Sequence, residues 1–329
     1  TGAPVTGLAR ENFEVLDDGR PRALTYFSPA GERRHPLALV LVIDGCTGSQ
    51  NVWLDKAAGV MERMAAALKQ LPPEDEVAVL WTRCGDNDDP CSIRRLGSAE
   101  IPPLTVLQDL TRDREAVSAA LRSVPRLARE MIEEERTYSG LARRNKNASQ
   151  GWNASGIACA PDKALRLIAA RPASQAALLF VTDDLGLVRS SDRDEMAERL
   201  TRAGVPVHGL VTGRPFLMNL GAAEFGVGSS DNRRANAVQY LAKETGGEAL
   251  RVGDPDKYAE AFERIVGGLA ARYSLGFTLG DDEPKDRRLH RLEVRVRVRD
   301  ARGKGHGLTV SARRGYYAPD AAAGGAQVR

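Results

Sequence analysis

Seven consecutive apolar residues, Leu37 to Ile43, run directly into Asp44-Gly45-Cys46-Thr47-Gly48-Ser49. A run this short, apolar at every position and without alternation, reads as a strand buried on both faces, as in a parallel sheet covered by helices. It ends in an acid and small polar residues, and open α/β sheets build ligand sites from side chains delivered to the carboxyl ends of their strands. The run is also far too short to cross a bilayer, and no longer apolar stretch exists, so no transmembrane segment is expected.

From residue 37 onward, strand patterns alternate with helical ones, which implies parallel βαβ units. Trp53, Ala57, Val60, Met61, Met64 and Leu68 recur at helical spacing over 53–70, ahead of Pro72-Pro73. Strands are expected at 76–82 and near 104–107, and Asp113 is placed to cap a helix to about 137. The Asn-, Ser-, Gly- and Arg-rich stretch 139–156 reads as a loop. A helix near 160–170 then leads to the strand 176–181, which ends in Thr182-Asp183-Asp184. A helix capped by Ser191 or Asp192, a strand at 205–211, a helix at 233–245 stopped by Gly246-Gly247, a short strand at 248–252 and a helix at 256–271 complete the pattern.

Both ends differ from this middle. Pro4 to Leu8, Asn12 to Leu16 and Arg22 to Phe27 read as strands, with Asp18-Gly19 as a hairpin turn. In Leu292 to Arg299, apolar and charged residues alternate strictly, the mark of a half-buried antiparallel strand; Tyr273–Leu279 and Leu308–Arg313 are its expected partners. The Ala- and Gly-rich residues 320–329 read as a frayed tail.

The 47 basic and 44 acidic residues leave a formal charge of +3, and aromatic residues make up 5% of the chain, which together argue against a nucleic-acid partner. Among 329 residues there are four cysteines, Cys46, Cys84, Cys91 and Cys159. Cys84 and Cys91 flank a polar turn-rich stretch in which a short-loop disulfide closes easily; two free thiols are the other reading. The chain begins at Thr1 rather than Met, which suggests a processed form or a chain from which a targeting segment has been removed. The four histidines, His35, His208, His290 and His306, stand near no cysteine signature, so a thiol nucleophile is not expected. No phosphate loop, dinucleotide fingerprint or His-Glu-x-x-His is present. Arg295, Arg297 and Arg299 share one strand face, where an anion-binding surface and a solvated arginine face are the two readings. Asn147-Ala148-Ser149 and Asn153-Ala154-Ser155 match glycosylation acceptors, most simply by chance.

The end of the 37–43 run resembles the opening of a von Willebrand factor type A domain, whose first strand ends in Asp-x-Ser-x-Ser and whose oxygens hold a divalent cation. Pro4-Val5-Thr6-Gly7-Leu8, Phe13-Glu14-Val15 and Asp18-Gly19 resemble the lead-in of the bacterial von Willebrand factor A-related proteins best known from acidobacteria. Glu244-Thr245-Gly246-Gly247, Tyr273-Ser274-Leu275-Gly276-Phe277 and Arg314-Gly315-Tyr316-Tyr317-Ala318 resemble their closing parts. The resemblance implies an α/β fold: a Rossmann-like A domain at 36–271, with a central mostly parallel sheet flanked by helices. Residues 1–35 and 272–319 would form a small antiparallel β-sandwich built from both termini. It also implies export, to a secreted or periplasmic location; it does not imply a reaction.

The resemblance extends to a metal site only in part. Asp44 is in register, but Cys46 and Gly48 stand at the two serine positions and Ser49 falls one place late. Asp183 matches the third loop, while Gly156-Ile157-Ala158-Cys159 offers no second-loop threonine. The implied site is therefore degenerate, with Asp44, Ser49 and Asp183 as candidate ligands for Mg²⁺ or Ca²⁺, and a vestigial polar cluster is the alternative. The same losses place Cys46 and Cys159 at one edge, where a Cys46–Cys159 disulfide would staple the loops in place of the ion; two independent small residues are the other reading.

The function expected on this reading is non-enzymatic: adhesion-type binding of a protein or cell-surface polymer by the loops 44–53, 84–98, 139–160, 183–192 and 213–232. The alternative is a structural or assembly component without an exchangeable ligand, making its contacts through the sandwich.

Overall fold

The computed structural model describes residues 5–318 except 31–34, 47–56, 86–88, 90, 97, 145–153, 185, 187, 213–232, 235, 281–287, 300–304, 307 and 309. Its centre is the strand foreseen from the apolar run, β4 (Leu37–Asp44), buried at all eight positions. In chain order the other strands of its sheet are β5 (Glu76–Thr82), β6 (Leu104–Thr111), β7 (Gln175–Thr182), β8 (Val207–Thr212) and β9 (Ala249–Val252). They lie in the order β9-β8-β7-β4-β5-β6, all parallel except β6, which runs antiparallel to β5. The chain winds outward from β4 in both directions, so the strand order reverses beside it.

Helices cover both faces, which is why β4 has no polar alternation. Leu37, Leu39, Leu41 and Ile43 face a core shared with α1 (Ala57–Leu68), α2 (Arg114–Arg144) and α6 (Tyr258–Ala270). Ala38, Val40 and Val42 face the opposite core, built with α3 (Ala160–Ala169), α4 (Ser190–Arg202) and α5 (Ala237–Thr245). One strand thus supplies alternate residues to both cores, the period-two consequence of strand geometry.

The two ends of the chain make a separate antiparallel sheet. β1 (Phe13–Asp17), β2 (Arg20–Arg22), β11 (Leu289–Val296) and β12 (Gly315–Tyr317) lie in the order β2-β1-β11-β12. β3 (Tyr26–Ser28) and β10 (Ser274–Gly276) form an antiparallel pair beside it. Phe13 of β1 meets Phe27 of β3 and Tyr273, with ring centroids 5.8 and 5.0 Å apart, so aromatic side chains join the sheet to the ribbon.

Several expectations are corrected. The strand rich in alternating arginines pairs with Phe13–Asp17 and Gly315–Tyr317, not with Tyr273–Leu279 or Leu308–Arg313. Residues 5–8 form no strand. α2 runs through Pro125, where Val117, Leu121, Val124, Ala128 and Met131 keep one buried stripe, and it continues to Arg144, into the stretch read as a loop. α4 starts after Arg189 with no side-chain cap, so neither Ser191 nor Asp192 plays that part.

Candidate functional site

The carboxyl edge of the central sheet gathers the ends of β4, β5 and β7, and with them Asp44, Thr82 and Thr182. Asp44 is fully enclosed at 1% exposure. Its Oδ1 accepts from the Cys46 backbone N–H at 3.0 Å and from the Thr82 hydroxyl at 3.0 Å, and its Oδ2 accepts from the Thr182 hydroxyl at 2.7 Å. Thr182 Oγ1 in turn accepts from the Asp184 backbone N–H at 2.9 Å. One carboxylate therefore ties three neighbouring strands together at the point where the sheet order reverses.

Burial, and then the adjacent charge of the buried Asp183, push the Asp44 carboxyl up to about 7, against the opposing pull of its three donors. Gly45 explains how the loop leaves so closely. A Cβ there would lie 2.4 Å from the Trp81 ring, and the Gly45 N–H donates to the Thr82 carbonyl at 3.0 Å.

Asp184 is absorbed by a different task. It adopts a left-handed backbone, φ 56°, and its two carboxylate oxygens accept from the N–H groups of Val238 and Gln239 at 2.9 and 3.1 Å. These are orphan donors of the first turn of α5, whose own N-cap, Asn236, makes no side-chain cap bond. Burial holds the Asp184 carboxyl up at about 6 despite those donors.

The described donors do not compose a shell for a hard divalent cation, which needs six or more oxygens around an open centre. Asp44 spends its oxygens on protein donors, Asp184 caps a helix, and the cavity beside Asp44 is lined largely by Val60, Met61, Met64, Val181 and Tyr258. Ser49, the third candidate ligand, lies outside the described residues, as do the acceptor-like Asn147 and Asn153 and the loop 213–232. Thr82 and Thr182 were missed as members of this cluster, although each ends an apolar strand at the same edge and could have been found on that ground.

The cysteines correct both expected pairings. Cys91 is bonded to Cys159 with a Cα separation of 5.4 Å, so neither Cys84–Cys91 nor Cys46–Cys159 forms. Cys46 is disulfide-bonded as well, and no described cysteine is free. The reason is topological. Residues 83–103 leave the sheet beside Thr82 and return at β6, while Gly156 packs under them, its Cβ position 2.3 Å from the Arg83 carbonyl oxygen. The 156–159 turn is thus pressed against the base of that excursion, at Arg83 and Pro103. Ile93, two residues beyond Cys91, stands 59% exposed.

The arginine face is largely paired. Arg295 bonds Glu293 and Arg297 bonds Glu14, each at 2.7 Å, and the Arg299 side chain lies outside the described residues.

No family model and no curated protein matches the chain. Among solved structures it is similar to the conserved hypothetical protein BatB from Bacteroides thetaiotaomicron, at 18% identity and a TM-score of 0.43, covering 72% of this chain and 99% of that one. It is similar also to a von Willebrand factor type A protein from Catenulispora acidiphila, at 12% identity and a TM-score of 0.44, covering 81% of this chain and 50% of that one. The pilus adhesin SpaC from Lactobacillus rhamnosus is similar at 9% identity and a TM-score of 0.42, over 81% of this chain and 36% of that one.

Proposed function

We propose that this chain is an exported, non-enzymatic binding protein of the von Willebrand factor type A kind, which recognises another protein or a surface polymer through the loops at the carboxyl edge of its central sheet. The observation that carries the reading is the Cys91–Cys159 disulfide, which joins two of those loops beside the exposed Ile93. Loops fixed before contact lose less conformational entropy on binding, and an exposed apolar side chain on a fixed loop suits an interface. Disulfides at Cys91, Cys159 and Cys46 fit an oxidising compartment, and they leave these thiols unable to act as nucleophiles.

In this reading the edge needs no cation to hold its loops. The Asp44 hydrogen-bond hub and the disulfides take over that work, and protonation of Asp44, favoured by its burial and by the neighbouring Asp183, relieves the repulsion between two buried acids. Asp44, Asp183 and Ser49 remain the residues on which a cation would draw. Chelator-stripped protein titrated with Mg²⁺ and Ca²⁺ should show no saturable heat that Asp44→Ala abolishes; such heat would return the metal to the mechanism.

The alternative, assembly through the terminal sheet, predicts a different dependence, because that sheet carries its own exposed apolar residue, Leu289 at 46%. Immobilised wild-type chain, Ile93→Ser and Leu289→Ser would be compared for retention of cell-surface proteins and polymers. The edge reading expects retention to be lost in Ile93→Ser and kept in Leu289→Ser. The reverse pattern would overturn it in favour of assembly.

A further inference from the structure

The sheet made from the two chain ends carries a cluster that sequence reasoning did not join, since Asp18 and His290 lie 272 residues apart. In the β1–β11 register Asp17 stands opposite Leu292, which puts its side chain on the same face as His290, two residues along. Tyr316 stands opposite His290 on β12 and stacks on its ring at 5.1 Å. Asp18, in a left-handed turn with φ 46°, swings its carboxylate over the same place. Its Oδ1 accepts from the Arg291 N–H at 2.8 Å, and its Oδ2 lies 3.0 Å from His290 Nδ1. One ligand atom from each of Asp17, Asp18 and His290 falls within 4.8 Å of the other two.

An unsatisfied group points independently to a ligand. Asp17 is 2% exposed, and its Oδ2 takes all of its described donors: Arg22 Nε at 3.0 Å, Arg22 Nη2 at 2.6 Å and the Tyr316 hydroxyl at 3.0 Å. Its Oδ1 is buried and has no hydrogen-bond partner. A buried carboxylate oxygen without a donor is costly and rare in folded proteins. A positive partner on that oxygen removes the penalty.

We propose that Asp17, Asp18 and His290 form a divalent transition-metal site that clasps the amino-terminal hairpin to the carboxyl-terminal strand. One imidazole and two carboxylates suit Zn²⁺ or Mn²⁺ better than Mg²⁺ or Ca²⁺, which favour shells of oxygen alone. On binding, the proton between His290 Nδ1 and Asp18 Oδ2 is released to solvent, and those two atoms together with a carboxylate oxygen of Asp17 would hold the ion. Tyr316 fixes the ring, and Arg22 and the Tyr316 hydroxyl orient Asp17 as outer partners do in metal sites. The Asp18 side chain is 49% exposed, which gives the ion a route in from solvent.

The test is calorimetric titration of the whole chain, stripped with chelator, with ZnCl₂ and with MnCl₂. One saturable site is expected for at least one ion. Asp18→Asn should weaken it by more than about tenfold, a loss typical even of outer partners. Asn tolerates the left-handed turn and Asp18 is half exposed, so this variant keeps the fold, as its far-ultraviolet dichroism would check. His290→Gln should weaken binding likewise, Asp44→Asn should leave it unchanged, and the ion should raise Tm in the wild type but not in Asp18→Asn. Absence of a saturable site for both ions, or binding that is equal in Asp18→Asn and wild type, overturns the proposal.

Discussion

Asp44 shows how one residue can serve a sheet and still leave a trace in its stability. Its folded-state carboxyl is raised from 3.8 to about 7, chiefly by burial and then by Asp183, so between those values the native state holds a proton that the unfolded chain has released. Its contribution is therefore complete below the unfolded value and is lost as pH rises towards the folded one. Asp184 acts with the same sign up to about 6, whereas His208, held neutral by burial, loses stability for the fold as pH falls below its ordinary 6.5. Urea midpoints for wild type and Asp44→Asn between about pH 5 and 7 isolate the Asp44 component. The stability difference between the two should shift against the wild type on raising pH, with a slope of up to about 1.4 kcal/mol per unit. Gly45→Ala is expected to cost about 1–3 kcal/mol, since the added methyl must displace the buried Trp81 ring. Asp44 and Asp183 were legible in the sequence because each ends an apolar run. Thr82 and Thr182 were legible only as the ends of apolar strands at the same edge; that they donate to Asp44 was not, because the parallel register brings them to it.

At the scale of the element, the clearest sequence signals were the runs with a single environment. β4, β5 and β7 are buried on both faces and so carry unbroken apolar stretches, and they fall where those stretches are. α2 was legible at its start and not at its end. Asp113 Oδ1 accepts from the N–H groups of Glu115 and Ala116 at 2.9 and 3.1 Å, as its type and position foretold. Asp113→Ala should cost about 1 kcal/mol in a denaturant titration, the usual worth of an exposed cap. Its buried stripe from Val117 to Met131 carries the helix through Pro125, and its end at Arg144 lies beyond that stripe, inside the polar stretch that reads as a loop. α5 shows the converse, since its cap comes from Asp184, across 54 residues of chain, and no local pattern could reveal it. The tail strand was recognised by its alternation, but alternation says which face is buried and not which strand lies alongside.

Across the whole molecule, the disulfides and the terminal sheet are the long-range features, and both depend on topology more than on local sequence. The Cys91–Cys159 bond closes 68 residues, which by loop entropy is worth about 4 kcal/mol. A peptide map without reduction should recover Cys91 and Cys159 in one linked species, and mild reduction should lower Tm and open the 83–103 excursion to proteolysis. Isolation of a Cys84–Cys91 or Cys46–Cys159 peptide would contradict the fold around that edge.

The terminal sheet has a mechanical consequence. β1 and β12 flank β11 and run the same way, so the chain enters at the end of β11 marked by Val296 and leaves at the end marked by Leu289. Tension applied between residues 13 and 317 would pull these outer strands in opposite directions along their axes. That loads both hydrogen-bonded ladders together in shear rather than opening them pair by pair. Stretched between residues 13 and 317, the terminal sheet should break late and abruptly, leaving the carboxyl edge of the central sheet intact up to that force.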